Sequence, residues 1–135
     1  MREEAYLRSH WPLLSELRDA LRTEPNVRLA VLFGSQATGS GTDRSDVDLL
    51  VVLADGSATR VAQIAGRLER RLGRDVQLVR AEDADRSPAL MVDALEQGRV
   101  LADRDCQWPV LKSQESRWRR RASAAGRALP DLDSS

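Results

Sequence analysis

The stretch GSQATGSGTDRSDVD, Gly34 to Asp48, sets a glycine-serine pair, ten intervening residues, and then two aspartates on alternate positions. What lies on either side decides its meaning. Upstream, VRLAVLF (Val27 to Phe33) is a run of branched apolar residues that reads as a strand ended by Gly34. Downstream, DVDLLVVL (Asp46 to Leu53) reads as a second strand, apolar enough to be buried on both faces. The quoted stretch is therefore a strand-to-strand connection with chemistry at both ends.

Outward from this centre the pattern alternates. Leu13, Leu14, Leu17 and Leu21 recur at helical spacing from Trp11 to Arg22, with Pro12 suited to a first turn and His10 to a position just before it. Ser57 is a capping residue for a helix whose apolar face is Val61, Ile64, Ala65, Leu68 and Leu72, and Gly73 closes it. DVQLV (Asp75 to Val79) is a third strand. Ser87-Pro88 opens a short helix that Gly98 ends, and RVLA (Arg99 to Ala102) is an edge strand. The fold class is α/β: a small mixed sheet of about four strands flanked by helices. The Ser57–Leu72 helix makes its two flanking strands parallel, whereas the shorter link between 27–33 and 46–53 suits an antiparallel pair.

The 135 residues, 41% of them apolar, are enough for one domain with one sizeable core. The domain is expected over 1–103, followed by a basic, partly helical tail over 104–135. Lysine plus arginine and aspartate plus glutamate balance at 21 each, which weighs against direct nucleic-acid binding. The single cysteine, Cys106, leaves no intramolecular disulfide and suits a reducing cytoplasm; its thiol reads as incidental. No stretch has the apolar length of a signal peptide or a membrane span. In the tail, Leu111, Trp118, Ala122, Ala125 and Leu129 fall near helical spacing among Arg117, Arg119, Arg120 and Arg121. That stripe either packs on its own domain or docks a protein partner, and the expectation taken forward is docking centred on Trp118.

Side chains alternate along a strand, so Asp46 and Asp48 share a face, ~7 Å apart. At that distance two carboxylates repel by roughly 2–3 kcal/mol at an effective dielectric near 20. A divalent cation with a preference for hard oxygen ligands, such as Mg²⁺, would relieve this. Parallel strands bring Asp75 to the same sheet end as Asp46, and the antiparallel first strand delivers Gly34 and Ser35 there. Gly34 lets the backbone approach a ligand closely, and Ser35 offers a hydroxyl and the start of a helical turn to an anion. Phosphates beside metal-binding carboxylates describe a nucleotide–Mg²⁺ site.

Gly34-Ser35, ten residues, then Asp46-Val47-Asp48 resembles the signature of the nucleotidyltransferase superfamily that includes DNA polymerase beta. The short chain resembles its minimal members, the MNT proteins, and LEQGRVLADRD (Leu95 to Asp105) is similar to the ending of such domains. The resemblance implies that Gly34 and Ser35 bind the phosphates of a nucleoside triphosphate and that Asp46, Asp48 and Asp75 are catalytic and hold two Mg²⁺. It further implies that AMP passes from ATP to a hydroxyl of a protein acceptor, and that the partner is a HEPN-type toxin to which this chain is the antitoxin. Asp55 and Asp43 are fallback candidates for the third carboxylate. One departure stands out: many minimal members carry arginine where this chain has Thr38, and Arg44 is the candidate substitute. Two alternatives accompany this reading. One is an antitoxin of the same fold that acts by contact alone; on either reading the chain is expected in a homo- or hetero-oligomer. The other is a small-molecule nucleotidyltransferase, against which the tail is too short to form a full acceptor-holding domain.

Overall fold

The computed structural model describes residues 3–40 and 46–128. Asp43, Arg44 and Leu129 lie outside the described residues. A four-stranded mixed sheet runs in the order β3-β2-β1-β4, with β1 at Val27–Phe33, β2 at Val47–Leu53, β3 at Val76–Arg80 and β4 at Arg99–Asp103. β1 is antiparallel to both its neighbours, and β2 and β3 are parallel. The crossover between the parallel pair is α3, Ala58–Leu72, capped at one end by Ser57 Oγ accepting from the Arg60 N–H and at the other by left-handed Gly73. The strands, their sense and this helix match the expectation.

Both sheet faces are covered, which is why β1 and β2 read as unbroken apolar runs. One face buries Ala30, Leu32, Val47, Leu49 and Val51 with α1 (Glu3–Arg22) and α3, through Leu14, Leu17, Leu21, Ile64 and Leu68. The other buries Leu29, Val31, Phe33 and Leu50 with Met91, Ala94 and Leu95 of α4, Pro88–Gln97, and Trp118 of α6, Glu115–Ala128. A four-residue helical turn, α2 (Ser35–Thr38), leaves β1, and α5 (Trp108–Ser113) follows β4.

Two expectations change. The first helix does not begin near Trp11. It starts at Glu3, and Pro12 lies inside it. Pro12 is exposed, so the carbonyl it leaves unbonded one turn back is on the wet side, while Tyr6, His10, Leu14, Leu17 and Leu21 continue one buried stripe. His10 is accordingly mid-helix, buried and stacked on Tyr6 with ring centroids 4.5 Å apart.

The second change concerns the tail. Trp118 is 8% exposed and belongs to the apolar cluster under α4. Asp103 caps α5 by accepting from the N–H groups of Gln107 (2.8 Å) and Trp108 (3.0 Å). The Lys112 ammonium donates to the Leu95 carbonyl near the end of α4 (2.7 Å), and Arg119 pairs with Glu96 of α4 at 2.7 Å. Of the stripe expected to dock a partner, Leu111 and Trp118 pack on their own domain, whereas Ala125 is exposed. Arg121 covers what remains of the indole, its guanidinium carbon 4.5 Å from the ring centre.

Candidate active site

β1 runs out at the sheet end where β2 and β3 begin. Phe33 is the register partner of Asp48, so the next residue, Gly34, turns directly beside that carboxylate. The turn is possible because Gly34 adopts φ 75°, ψ −155°, a conformation closed to residues with a side chain. There is also no room for one. A Cβ at Gly34 would lie 2.8 Å from Oδ2 of Asp48.

From Gly34 the chain makes one helical turn. The N–H groups of Ala37 and Thr38 close on the Gly34 carbonyl at 3.1 and 3.3 Å, and left-handed Gly39 closes on Ser35 O at 3.0 Å. Ser35 thus opens a turn whose N-terminal end adjoins Asp48, with its first N–H outside the helical ladder. Thr38 donates its hydroxyl to Ser35 O at 3.3 Å and shares a hydrogen bond with Ser40 at 3.0 Å.

Asp46 is exposed and Asp48 half-buried, both on the sheet face that carries Leu50 and α4. Burial pushes the Asp48 carboxyl above its ordinary range, and the charges of Asp46 and then Asp93 push it the same way. No cation among the described residues offsets them. Asp93, a residue of α4, carries no sequence signal that would select it, because only the packing of α4 across this face brings its charge to bear on Asp48.

Asp75 is at the expected end of the sheet. Its carbonyl accepts from the Val47 N–H at 2.9 Å, and the β2–β3 register carried back one residue sets it beside Asp46. The residue beside Asp48 is Gln77. Asp55, a fallback, stands at the opposite end of β2, where the Ser57 N–H and then Arg60 hold its carboxyl below the ordinary range. Among the described residues no three His, Cys, Asp or Glu side chains gather closely enough to form a metal cage.

The donor set still fits Mg²⁺. That ion is commonly held by one or two carboxylates and completes its shell with substrate phosphates and water. Asp46 and Asp48 would supply the two carboxylates, the second partly desolvated and, among the described residues, not offset by a cation. The absence of a side chain at Gly34 lets the Asp48 carboxylate lie directly against the backbone of the turn. No helix among the described residues is long and apolar enough to cross a membrane.

Comparison with known proteins shows the family and the fold. The family model described as "Polymerase beta, Nucleotidyltransferase" matches residues 15–107. Comparison with curated protein sequences gave no match. Among solved structures, one chain of a toxin–antitoxin with AMP-PNP superposes with a TM-score of 0.72 at 25% identity, covering 90% of this chain and 98% of that one. A chain of a mutant of the toxin–antitoxin MntA-HpeT gives 0.71 at 26% identity, covering 90% and 97%. A tri-AMPylated Shewanella oneidensis HEPN toxin in complex with its MNT antitoxin gives 0.64 at 23%, covering 96% and 99%. With the matched region spanning all four strands and the Gly34–Asp48 site, the chain belongs to the polymerase beta nucleotidyltransferase family.

Proposed function

We propose that this nucleotidyltransferase transfers AMP from ATP to a hydroxyl of a protein acceptor, in a Mg²⁺-dependent reaction, and that the acceptor is a HEPN-type toxin it neutralises. The observation that carries the reading is the apposition of the Gly34–Ser35 turn and the Asp48 carboxylate. Anion-binding backbone and cation-binding carboxylate meet within one side-chain diameter. The neighbour holding AMP-PNP supports an adenine nucleotide, and the toxin–antitoxin neighbours support the class of partner.

In this reading Ser35 and the start of its turn bind the triphosphate, and Asp46 and Asp48 hold Mg²⁺. Bound there, the metal would neutralise phosphate charge and the charge developing on the leaving pyrophosphate. Asp75, at the open edge beside Asp46, orients the acceptor hydroxyl and takes its proton. That oxygen attacks the α-phosphorus in line, the bond to the β-phosphate oxygen breaks, and pyrophosphate leaves.

The test is direct. The protein is incubated with ATP, Mg²⁺ and a HEPN-type toxin protein, and the toxin's intact mass is followed. A gain of AMP units that requires Asp46 and Asp48 is the expected result. A partner that stays unmodified with every nucleoside triphosphate, yet is inhibited on binding, would overturn transfer. That outcome is the second reading, neutralisation by contact. One observation favours it: Gln77 rather than a carboxylate lies beside Asp48, and no three acidic groups gather into a metal cage among the described residues.

A further inference from the structure

The Ser35–Thr38 turn is too short to be stable by its own hydrogen bonds. Its internal bonds use the carbonyls of Gly34 and Ser35, which leaves those of Gln36 and Ala37 pointing out of its C-terminal end. Both are taken by side chains from distant parts of the chain. The Tyr6 hydroxyl donates to Gln36 O at 2.9 Å, and Arg99 Nε donates to Ala37 O at 2.9 Å.

These two donors are themselves locked together. The Arg99 guanidinium lies over the Tyr6 ring, 3.4 Å from its centre, and its Nη1 pairs with Glu3 at 2.6 Å. The other side of the Tyr6 ring is stacked on His10, whose Nδ1 is 2.8 Å from Ser9 Oγ. Burial raises the Tyr6 hydroxyl above its ordinary range, ahead of a lowering by Arg99, so it remains a neutral donor. A cation at the carbonyl end of the turn also complements its dipole.

We propose that Tyr6 and Arg99 are positioning residues for nucleotide binding, bracing the Ser35–Thr38 turn from its carbonyl end so that Ser35 is held at a fixed place beside Asp48. The inference rests on the nucleotide reading of that turn. Neither residue touches the phosphates. They act by removing the freedom of the turn before the nucleotide arrives, so that less ordering has to be done on binding. The brace joins α1 and β4 to the site, two elements that contribute no residue to it directly.

The experiment measures ATP–Mg²⁺ affinity by equilibrium titration of the full chain, well below its melting temperature. Wild type is compared with Tyr6→Phe, Arg99→Lys and Arg67→Gln. Tyr6→Phe removes one hydroxyl and keeps the ring stack; Arg99→Lys keeps the charge and loses the planar fork. Arg67→Gln is the stability control, because it breaks the bidentate pair with Glu24 at the far end of the sheet. Tyr6→Phe should weaken nucleotide affinity about three- to ten-fold, the range of one buried hydrogen bond. Arg99→Lys should weaken it at least as much, and Arg67→Gln should leave it unchanged even where the melting temperature falls. Amide exchange at Thr38 and Gly39, whose N–H groups close the turn, should quicken in nucleotide-free Tyr6→Phe. Wild-type affinity and exchange in both brace variants would overturn the proposal while leaving the nucleotide site standing. Absence of nucleotide binding in wild type would overturn the site reading and the brace with it.

Discussion

Gly34 and Asp48 occupy space that neither could share with a larger neighbour: a Cβ on Gly34 would sit 2.8 Å from Asp48 Oδ2. On the proposed reading, the contact joins the phosphate-binding turn and the metal-binding carboxylate into one unit. Gly34→Ala should therefore damage both. The methyl group must displace the carboxylate, and φ +75° is strained for alanine. A loss of about 1–3 kcal/mol in stability follows from the backbone alone. Displacing the carboxylate by a fraction of an ångström should lower transfer on the order of 100-fold. A urea melt beside a transfer assay checks this, and a variant with wild-type turnover would show that the close approach has no catalytic purpose.

Asp48→Asn should do the opposite to stability while abolishing transfer. Burial, Asp46 and Asp93 hold the native Asp48 carboxyl above its ordinary range. The folded protein then binds more protons than the unfolded chain between the two pKa values. Stability falls as pH rises through that interval, and the whole penalty is present above it. Asparagine removes the penalty. In chelator-treated protein at neutral pH the variant should melt higher than wild type, and the gain should shrink below the ordinary aspartate range. Equal melting temperatures at neutral pH would mean that the charge is already compensated.

Asp75→Asn and Asp93→Asn should separate two carboxylates that the site could use. If Asp75 takes the acceptor proton, its loss should lower transfer by about 10²–10⁴-fold with nucleotide affinity kept, since base catalysis is lost and binding is not. Asp93→Asn should change the nucleotide site instead, because its charge acts on Asp48. Transfer assays beside ATP titrations of both variants decide the matter. Full activity in Asp75→Asn together with its loss in Asp93→Asn would move the proton-accepting role to α4.

What was legible in the sequence was the local part of the site. The end of β1, the glycine turn and the alternating aspartates are set by strand periodicity and by one residue without a side chain, all within fifteen positions. The sense of β2 and β3 followed from the length of α3. Three things were not legible. Pro12 has the signature of a helix start, and only the buried stripe from Tyr6 onward shows why the helix tolerates it. Asp93 and Gln77 acquire meaning from sheet register and from the way α4 lies across a sheet face. The apolar stripe of α6 has the same spacing whether it meets a foreign protein or its own α4. Each of these depends on contacts between residues far apart in sequence, which no local pattern records.

That last ambiguity has its own test. Trp118 closes the apolar cluster formed by Leu29, Val31, Phe33, Leu50, Met91 and Leu95, and α4, the helix it covers, also carries Asp93. Cutting the chain after Asp105 would remove Trp108, Lys112 and Trp118 together, uncapping the Leu95 carbonyl and exposing the outer side of α4. Trp118→Ala is the milder probe. It should cost about 3–5 kcal/mol, the range for emptying a buried aromatic site. Both changes should lower the melting temperature measured by circular dichroism. They should also loosen α4, so nucleotide affinity falls with stability rather than independently of it. Arg117→Ala and Arg120→Ala, on exposed positions of the same helix, should leave the melting temperature alone. If a partner does bind here, it meets those arginines and not the indole. A Trp118→Ala protein that melts like wild type but no longer captures its partner would restore the docking role to the tryptophan and reject its place in the core.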